Sequence, residues 1–293
     1  MKGTEVQDEY SFILRKRLIF MLINSTSAYI FTYLLSYLFY QVITLIGANL
    51  IGISAVLYYY EILYGISNLS PEWTHERMLV VSAVAPVLSM VAGYLILFRV
   101  VNNFPWKHYI LLLLVWLGFH LSNAFLGGII AGTITDHGFG YALDVLFWPV
   151  WSIYILLSLA GLLTLGIIGN ASIESFLKTT SSGYWLLRKN RQQYLLFALV
   201  IPWLIGSIFM FLIKFTDNIP QHTFIAIHDL ILSFTMGFIV LPIFFRSPNT
   251  QLRPETGYGE KNRNIWLYLV IATIIFVLFF RLLLTRFFYS IFL

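Results

Sequence analysis

Apolar residues in this chain fall in long uninterrupted runs, without the polar face that a soluble helix or strand carries. Runs of seventeen residues or more occupy 18–46, 50–66, 78–98, 108–133, 141–169, 194–213, 223–245 and 264–292. A helix needs about 20 apolar residues to cross a hydrocarbon core of about 30 Å. The pattern therefore predicts an all-α fold, a polytopic transmembrane helical bundle of about eight membrane segments, making one membrane-embedded domain over 1–293. The alternation of outer-membrane strands is absent, and a lone spanning segment must satisfy its own backbone, so the Val, Ile and Phe content does not argue for strands. The separators "SNLSPEWTHER", "VNNFPWK", "TDHGFG", "KFTDNIPQ" and "RSPNTQLRPETGYGEKNRN" collect the Pro, Asn, Asp and Gly of connections. The first run follows mixed acids and bases and has no small-residue cleavage site, which predicts a retained membrane segment. Trp73, Trp106, Trp185 and Trp266 stand at segment ends, where an aromatic belt is expected.

Composition agrees with that pattern: 59% of residues are hydrophobic, 18% aromatic and 11% charged, against about 25% charged in soluble domains. With no cysteine, thiol chemistry and Cys-ligated metals are excluded, and a metal would need His, Asp or Glu. The formal charge is +5, but Lys and Arg flank the apolar runs instead of forming a stripe. They read as topology determinants and not as a nucleic-acid surface. The expected partner is the lipid bilayer, with other membrane proteins as candidates, in a multi-pass arrangement in a cell inner membrane or plasma membrane. Eight crossings place ten Lys/Arg on one face and eight on the other; if 18–66 crosses once, the division becomes fourteen against four. The loops at 99–107, 170–193 and 246–263 share a face in both arrangements, and the positive-inside rule assigns that face to the cytoplasm.

Few polar groups lie at membrane depth, where an ionisable side chain costs about 2.5–3.5 kcal/mol on insertion scales. They are Glu61 in the second run, His120, Ser122 and Asn123 in the fourth, Asp144 at the start of the fifth, and His228 and Asp229 in the seventh. Each has a structural alternative, as interhelical glue or as a group snorkelling to a nearby end. Three functional classes use them. In a binding protein they grip a polar group. In a small-solute or proton-coupled transporter Glu61, His120 and Asp229 line a pathway, although no inverted repeat is visible. In a haem or metal protein His120 and His228 would share a site; the pair His108 and His120 is about 18 Å apart along one helix and cannot close on one group. No nucleotide-binding motif or Ser/His/Asp signature is present. The reading therefore leans away from an enzyme and assigns no cofactor and no metal.

In "YYYEILYG" Tyr60 and Tyr64 are four apart with Glu61 between them, the spacing of His-Glu-x-x-His with both imidazoles replaced. "SAVAPVLSMVAGYLILF" (82–98) and "FHLSNAFLGGIIAG" (119–132) follow in order. Together they resemble the zinc helix, the Ala-Gly-Pro helix and the Asn-containing helix of site-2-protease-like integral membrane metallopeptidases. By position Tyr60, Glu61 and Tyr64 match the zinc helix, Pro86 the second, and Asn123, Gly127 and Gly128 the third, with Leu126 standing where the family has aspartate. The resemblance covers about residues 50–133. It implies a non-proteolytic relative, a scaffold or binding protein on a degenerate core. The candidate binding residues are Glu61, Tyr60, Tyr64, His120, Asn123, His228 and Asp229, with Glu61 expected on a helix and held by donors from its neighbours.

Overall fold

A computed structural model describes residues 2–59, 61–67, 70–147, 150–180, 182–215, 223–250 and 266–286, with side chains from Arg15 to Leu282. The fold is all-α. Helix α1 (Lys2–Leu50) is followed by a hairpin of β1 (Ala55–Leu57) and β2 (Ile62–Tyr64), then α2 (His75–Asn103), α3 (His108–Thr135), α4 (Phe139–Phe147) and α5 (Trp151–Ala171). Short helical turns at Ile173–Leu177 and Gly183–Leu186 lead to α6 (Arg188–Lys214), α7 (Thr223–Thr235), α8 (Gly237–Arg246) and α9 (Leu267–Arg286). By length and composition six helical stretches among the described residues can cross a membrane: 15–50, α2, α3, α5, α6 and the α7–α8 stretch. A shorter apolar helix spans Leu267–Leu282. The chain is thus an integral, multi-pass membrane protein.

One expected segment is corrected. The described residues from 51 to 66 are not helical: α1 ends at Leu50, Gly52 takes φ +78°, and the chain turns into the antiparallel hairpin with Ala55 opposite Tyr64 and Leu57 opposite Ile62. The Tyr58 amide donates to the Glu61 carbonyl (2.8 Å) and closes the turn. A β-branched and aromatic run of this length suits either state, and periodicity cannot separate them. The run from 141 to 169 also divides, into the short α4 and the longer α5.

The hairpin settles the path of α1, which runs once from end to end. At one end of the bundle Ser175 Oγ donates to Asn102 Oδ1 (3.3 Å), and His108 Nδ1–H donates to the Lys178 carbonyl (3.0 Å). Arg188 donates to Asn249 Oδ1 (2.7 Å), while Arg191 donates to the carbonyls of Leu186, Ser247 and Thr250. The Trp266 amide joins the same end through Asn24 Oδ1 of α1 (2.8 Å). The loops at 99–107, 170–193 and the described part of 246–263 therefore emerge together with the basic start of α1, while the hairpin lies at the other end. Trp185, expected in an aromatic belt, is fully buried in this assembly of loops.

Small residues and proline set the helix contacts. Gly161 and Gly169 of α5 lie against the backbones of α3 and α8: a Cβ on Gly169 would stand 2.3 Å from the Ile239 carbonyl oxygen. Such close approach replaces the hydrophobic drive that lipid removes. Pro202 has no N–H for the Ala198 carbonyl one turn earlier; Ser25 Oγ of α1 donates to that carbonyl instead, beside a π-helical turn at Leu196–Val200.

The cysteine-free chain allows a direct topology test. Single substitutions Glu72→Cys, Lys107→Cys and Lys189→Cys fall at exposed positions. An impermeant thiol reagent is expected to label the first from one side of sealed vesicles and the other two from the opposite side. Labelling of Glu72→Cys and Lys189→Cys from one side would refute the single passage of α1.

Candidate functional site

The end of the bundle beneath the hairpin contains a cavity of about 440 Å³ between α1, α2, α3, α4, α6, α7 and β2. Its wall on α1 is a face of tyrosines, Tyr29, Tyr33, Tyr37 and Tyr40, at the three- and four-residue spacing that aligns side chains on one side of a helix. Across from them stands an ion pair. Lys214, the last residue of α6, donates from Nζ to Asp229 Oδ2 on α7, and the two side chains are 1% and 14% exposed. The ammonium is 4.5 Å from the Tyr37 ring centroid, 5.7 Å from Phe215 and 6.0 Å from Tyr33, so aromatic faces surround the charge where water does not. His228 Nδ1 lies 3.8 Å from Asp229 Oδ1. Asp229 sits six residues into α7, about 9 Å along its axis.

The remaining expected residues divide between wall and frame. Both His120 and Asn123 are buried in the bundle interior and border the cavity. His120 Nε2–H donates to the Tyr29 carbonyl (3.2 Å), with its ring stacked against Trp116 and edge-on to Tyr29 and Tyr33. Asn123 Nδ2 donates to the Leu232 carbonyl (2.7 Å) and Oδ1 accepts from Thr235 (2.9 Å), which ties α3 to α7 just before the break at Met236. The neighbouring glycines have opposite roles. A Cβ on Gly127 would meet Thr235 Oγ1 at 2.4 Å and Asn123 Oδ1 at 2.5 Å, whereas one on Gly128 meets nothing within 4 Å and points at open cavity. Asp144 is outside this group and accepts from Tyr154 Oη (2.6 Å), joining α4 to α5.

The hairpin and the α3–α4 turn also border the cavity. Glu61 and Tyr64 line it from the hairpin, next to Trp73, whose ring meets that of Tyr64 edge-on at 5.2 Å. Tyr60 lies outside the described residues. With β2 extended, Glu61 borders the cavity from the hairpin instead of sitting on a helix. Burial pushes the Glu61 carboxyl up to about 7 and lifts the Tyr64 hydroxyl as well. On the facing turn His137 meets His228 ring to ring at 5.6 Å; burial first, and His228 second, lower it to about 4. Asp136 (φ 47°) and Gly138 (φ 60°) take left-handed backbone here, and Gly138 faces His228 and Tyr40. Among the described residues no group of three or more His, Asp or Glu is placed to hold a metal ion.

Sequence reasoning missed Lys214 and the tyrosine face. Lys214 directly follows an apolar run and looks like a flanking topology charge; its distinguishing signal is an acid, Asp229, in the second turn of the next helix. The tyrosines are legible as a three- and four-residue repeat, but it is hidden within an unbroken apolar run. No family model, curated protein or solved structure matches the chain. What the fold and cavity define is a class, a multi-pass helical membrane protein with a cavity that polar and aromatic residues line together.

Three stability measurements follow from this geometry. In a detergent unfolding assay Lys214→Met or Asp229→Leu alone is expected to cost about 3–5 kcal/mol by leaving a buried charge unpaired, while the double substitution recovers most of it. Equal losses in the single and double variants would show that the pair is not coupled. Gly127→Ala should lower stability by about 1–3 kcal/mol through overpacking, and Gly128→Ala should not lower it; equal effects would contradict the two environments. For Glu61 the folded state favours the protonated acid, so that contribution is present below about 4.5 and lost as pH rises through about 7. His137 acts in the opposite direction over an overlapping range. The clean readout is therefore the melting temperature of the wild type minus that of Glu61→Gln, which should fall between those pH values. A flat difference would remove Glu61 from a buried environment.

Proposed function

We propose that this protein is a non-enzymatic membrane binding protein that holds a small polar or amphipathic molecule in the cavity beneath the hairpin. The observation that carries the reading is the buried Lys214–Asp229 pair on the wall of an open space of about 440 Å³. Ion pairs that only join helices need no such space, and charged groups facing cavities at membrane depth mark ligand or ion pathways. His120 and Asn123 act as frame: their polar atoms are engaged with Tyr29, Leu232 and Thr235, and His120 already commits Nε2 to a backbone carbonyl, which disfavours the haem reading. The proposal does not rest on the metallopeptidase resemblance, whose first helix is a hairpin in this chain.

A second reading, transport of the bound molecule, is favoured by the breaks in the helices beside the cavity. The π-helical turn in α6 and the interruption at Met236 between α7 and α8 flank the two strands of chain that carry Lys214 and Asp229, and such irregularities often mark moving or functional parts of helices. For orientation, the single passage of α1 supports the fourteen-to-four division of Lys and Arg, so the basic end faces the cytoplasm and the cavity lies toward the opposite side of an inner or plasma membrane.

Gly128→Phe tests the binding reading, because it fills the cavity from a position with no neighbour within 4 Å. Native mass spectrometry of the protein released from gently extracted membranes should show a bound small molecule on the wild type and none on an equally stable Gly128→Phe. Identical spectra from the two would defeat the proposal.

A further inference from the structure

One spot in the cavity lining is built from polar groups that carry no charge and have no partner. Gly138 takes φ 60°, and its missing side chain leaves a gap: a Cβ there would stand 3.5 Å from His228 Nε2 and 3.8 Å from Tyr40 Oη, and all three residues line the cavity. Neither of those two atoms makes a hydrogen bond to another described residue. The other ring nitrogen of His228, Nδ1, lies toward Asp229 Oδ1 at 3.8 Å. A proton on the nitrogen that faces a carboxylate leaves the opposite nitrogen of a neutral imidazole as an acceptor, while the Tyr40 hydroxyl is free to donate. A donor and an acceptor thus face one gap, which matches a hydroxyl group: its oxygen accepts from Tyr40 Oη, and its hydrogen is donated to His228 Nε2. From this pairing we infer that the ligand is an uncharged hydroxyl compound, a small alcohol or phenol with an apolar body, whose hydroxyl sits between Tyr40, His228 and Gly138. The adjoining lining suits such a body, since Phe139 follows Gly138 and Ile225 stands one turn before His228 on α7.

Charged ligands fit less well. Lys214 and Asp229 already satisfy each other; an anion would have to take Lys214 and a cation Asp229, and either exchange leaves a buried charge unpaired. Glu61 offers no free carboxylate, because it has an interaction of its own and burial favours its neutral acid. A hydroxyl uses the polar atoms that remain and leaves the ion pair intact. The inference rests on the binding reading above, and it names the chemical class that reading leaves open.

The test uses the full chain in nanodiscs, titrated calorimetrically against protein-free nanodiscs with phenylethanol, its methyl ether, phenylethylamine and phenylpropanoate. Phenylethanol is expected to bind at least about tenfold more tightly than each of the other three, equivalent to about 1.4 kcal/mol. Tyr40→Phe, which removes only the hydroxyl, should erase most of the preference over the ether, with thermal unfolding used to confirm that the variant is folded; if it does not fold, the ether comparison on the wild type decides alone. Gly128→Phe should abolish binding of the alcohol. If the ether, the amine or the carboxylate binds as tightly as the alcohol and Gly128→Phe abolishes that binding, the hydroxyl inference fails while the cavity reading stands. An unchanged preference in folded Tyr40→Phe overturns the assigned hydroxyl position and with it the inference. If none of the four compounds binds, the inference also fails, and the native mass spectrum decides the cavity reading separately.

Discussion

A buried charge pair is the constraint around which this bundle is arranged. Lys214 and Asp229 sit on consecutive membrane segments, nearly out of contact with solvent, and each is tolerable at that depth only because the other is present. The pair fixes the end of α6 against the second turn of α7, and the stacking of the ammonium on Tyr37 brings α1 to the same point. Asn123 then binds α7 to α3 a turn farther along. Four helices are thereby held around one polar centre. The space between them is walled by tyrosines, whose rings suit the apolar surroundings and whose hydroxyls suit the cavity.

Elsewhere the bundle is held by contacts that leave little room for variation. Lipid removes most of the hydrophobic drive for helix association, so backbones meet where glycine permits, as at Gly169 against Ile239. Hydrogen-bonding groups released by proline are supplied from neighbouring helices, as Ser25 supplies Ala198. At the basic end, Arg191 gathers three backbone carbonyls from two loops. The tight end and the cavity end are thus different in kind: one is closed by backbone contacts, and the other is held open by a charge and rings and covered by a hairpin.

The helical membrane architecture was legible because runs of apolar residues leave few alternatives in a bilayer. Of the polar residues at depth, His120, Asn123, His228 and Asp229 could be picked out by their cost alone, and they border one cavity. The hairpin was not legible: its Val, Leu, Ile and Tyr content matches a short membrane segment, and the turn that follows α1, with Gly52 at positive φ, is a property of the folded backbone. This misreading also placed Glu61 on a helix. Lys214 escaped notice because a lysine at the end of an apolar run ordinarily reaches for water, and only the three-dimensional position of Asp229 turns it inward. The ambiguity between an even charge division and a strong bias had the same origin, since it depended on whether 18–66 crosses once or twice.

A lysine and an aspartate from successive membrane segments meet at the cavity wall. Solid-state NMR on lipid-reconstituted protein, with ¹⁵N-lysine and ¹³C-aspartate labels and the Lys214→Met variant to assign the signal, measures that contact directly. A charged ammonium is expected, with a strong dipolar coupling between Lys214 Nζ and Asp229 Cγ that is absent from the variant. A Lys214 signal uncoupled from any aspartate, with the nitrogen exchanging freely with water, would contradict the pairing.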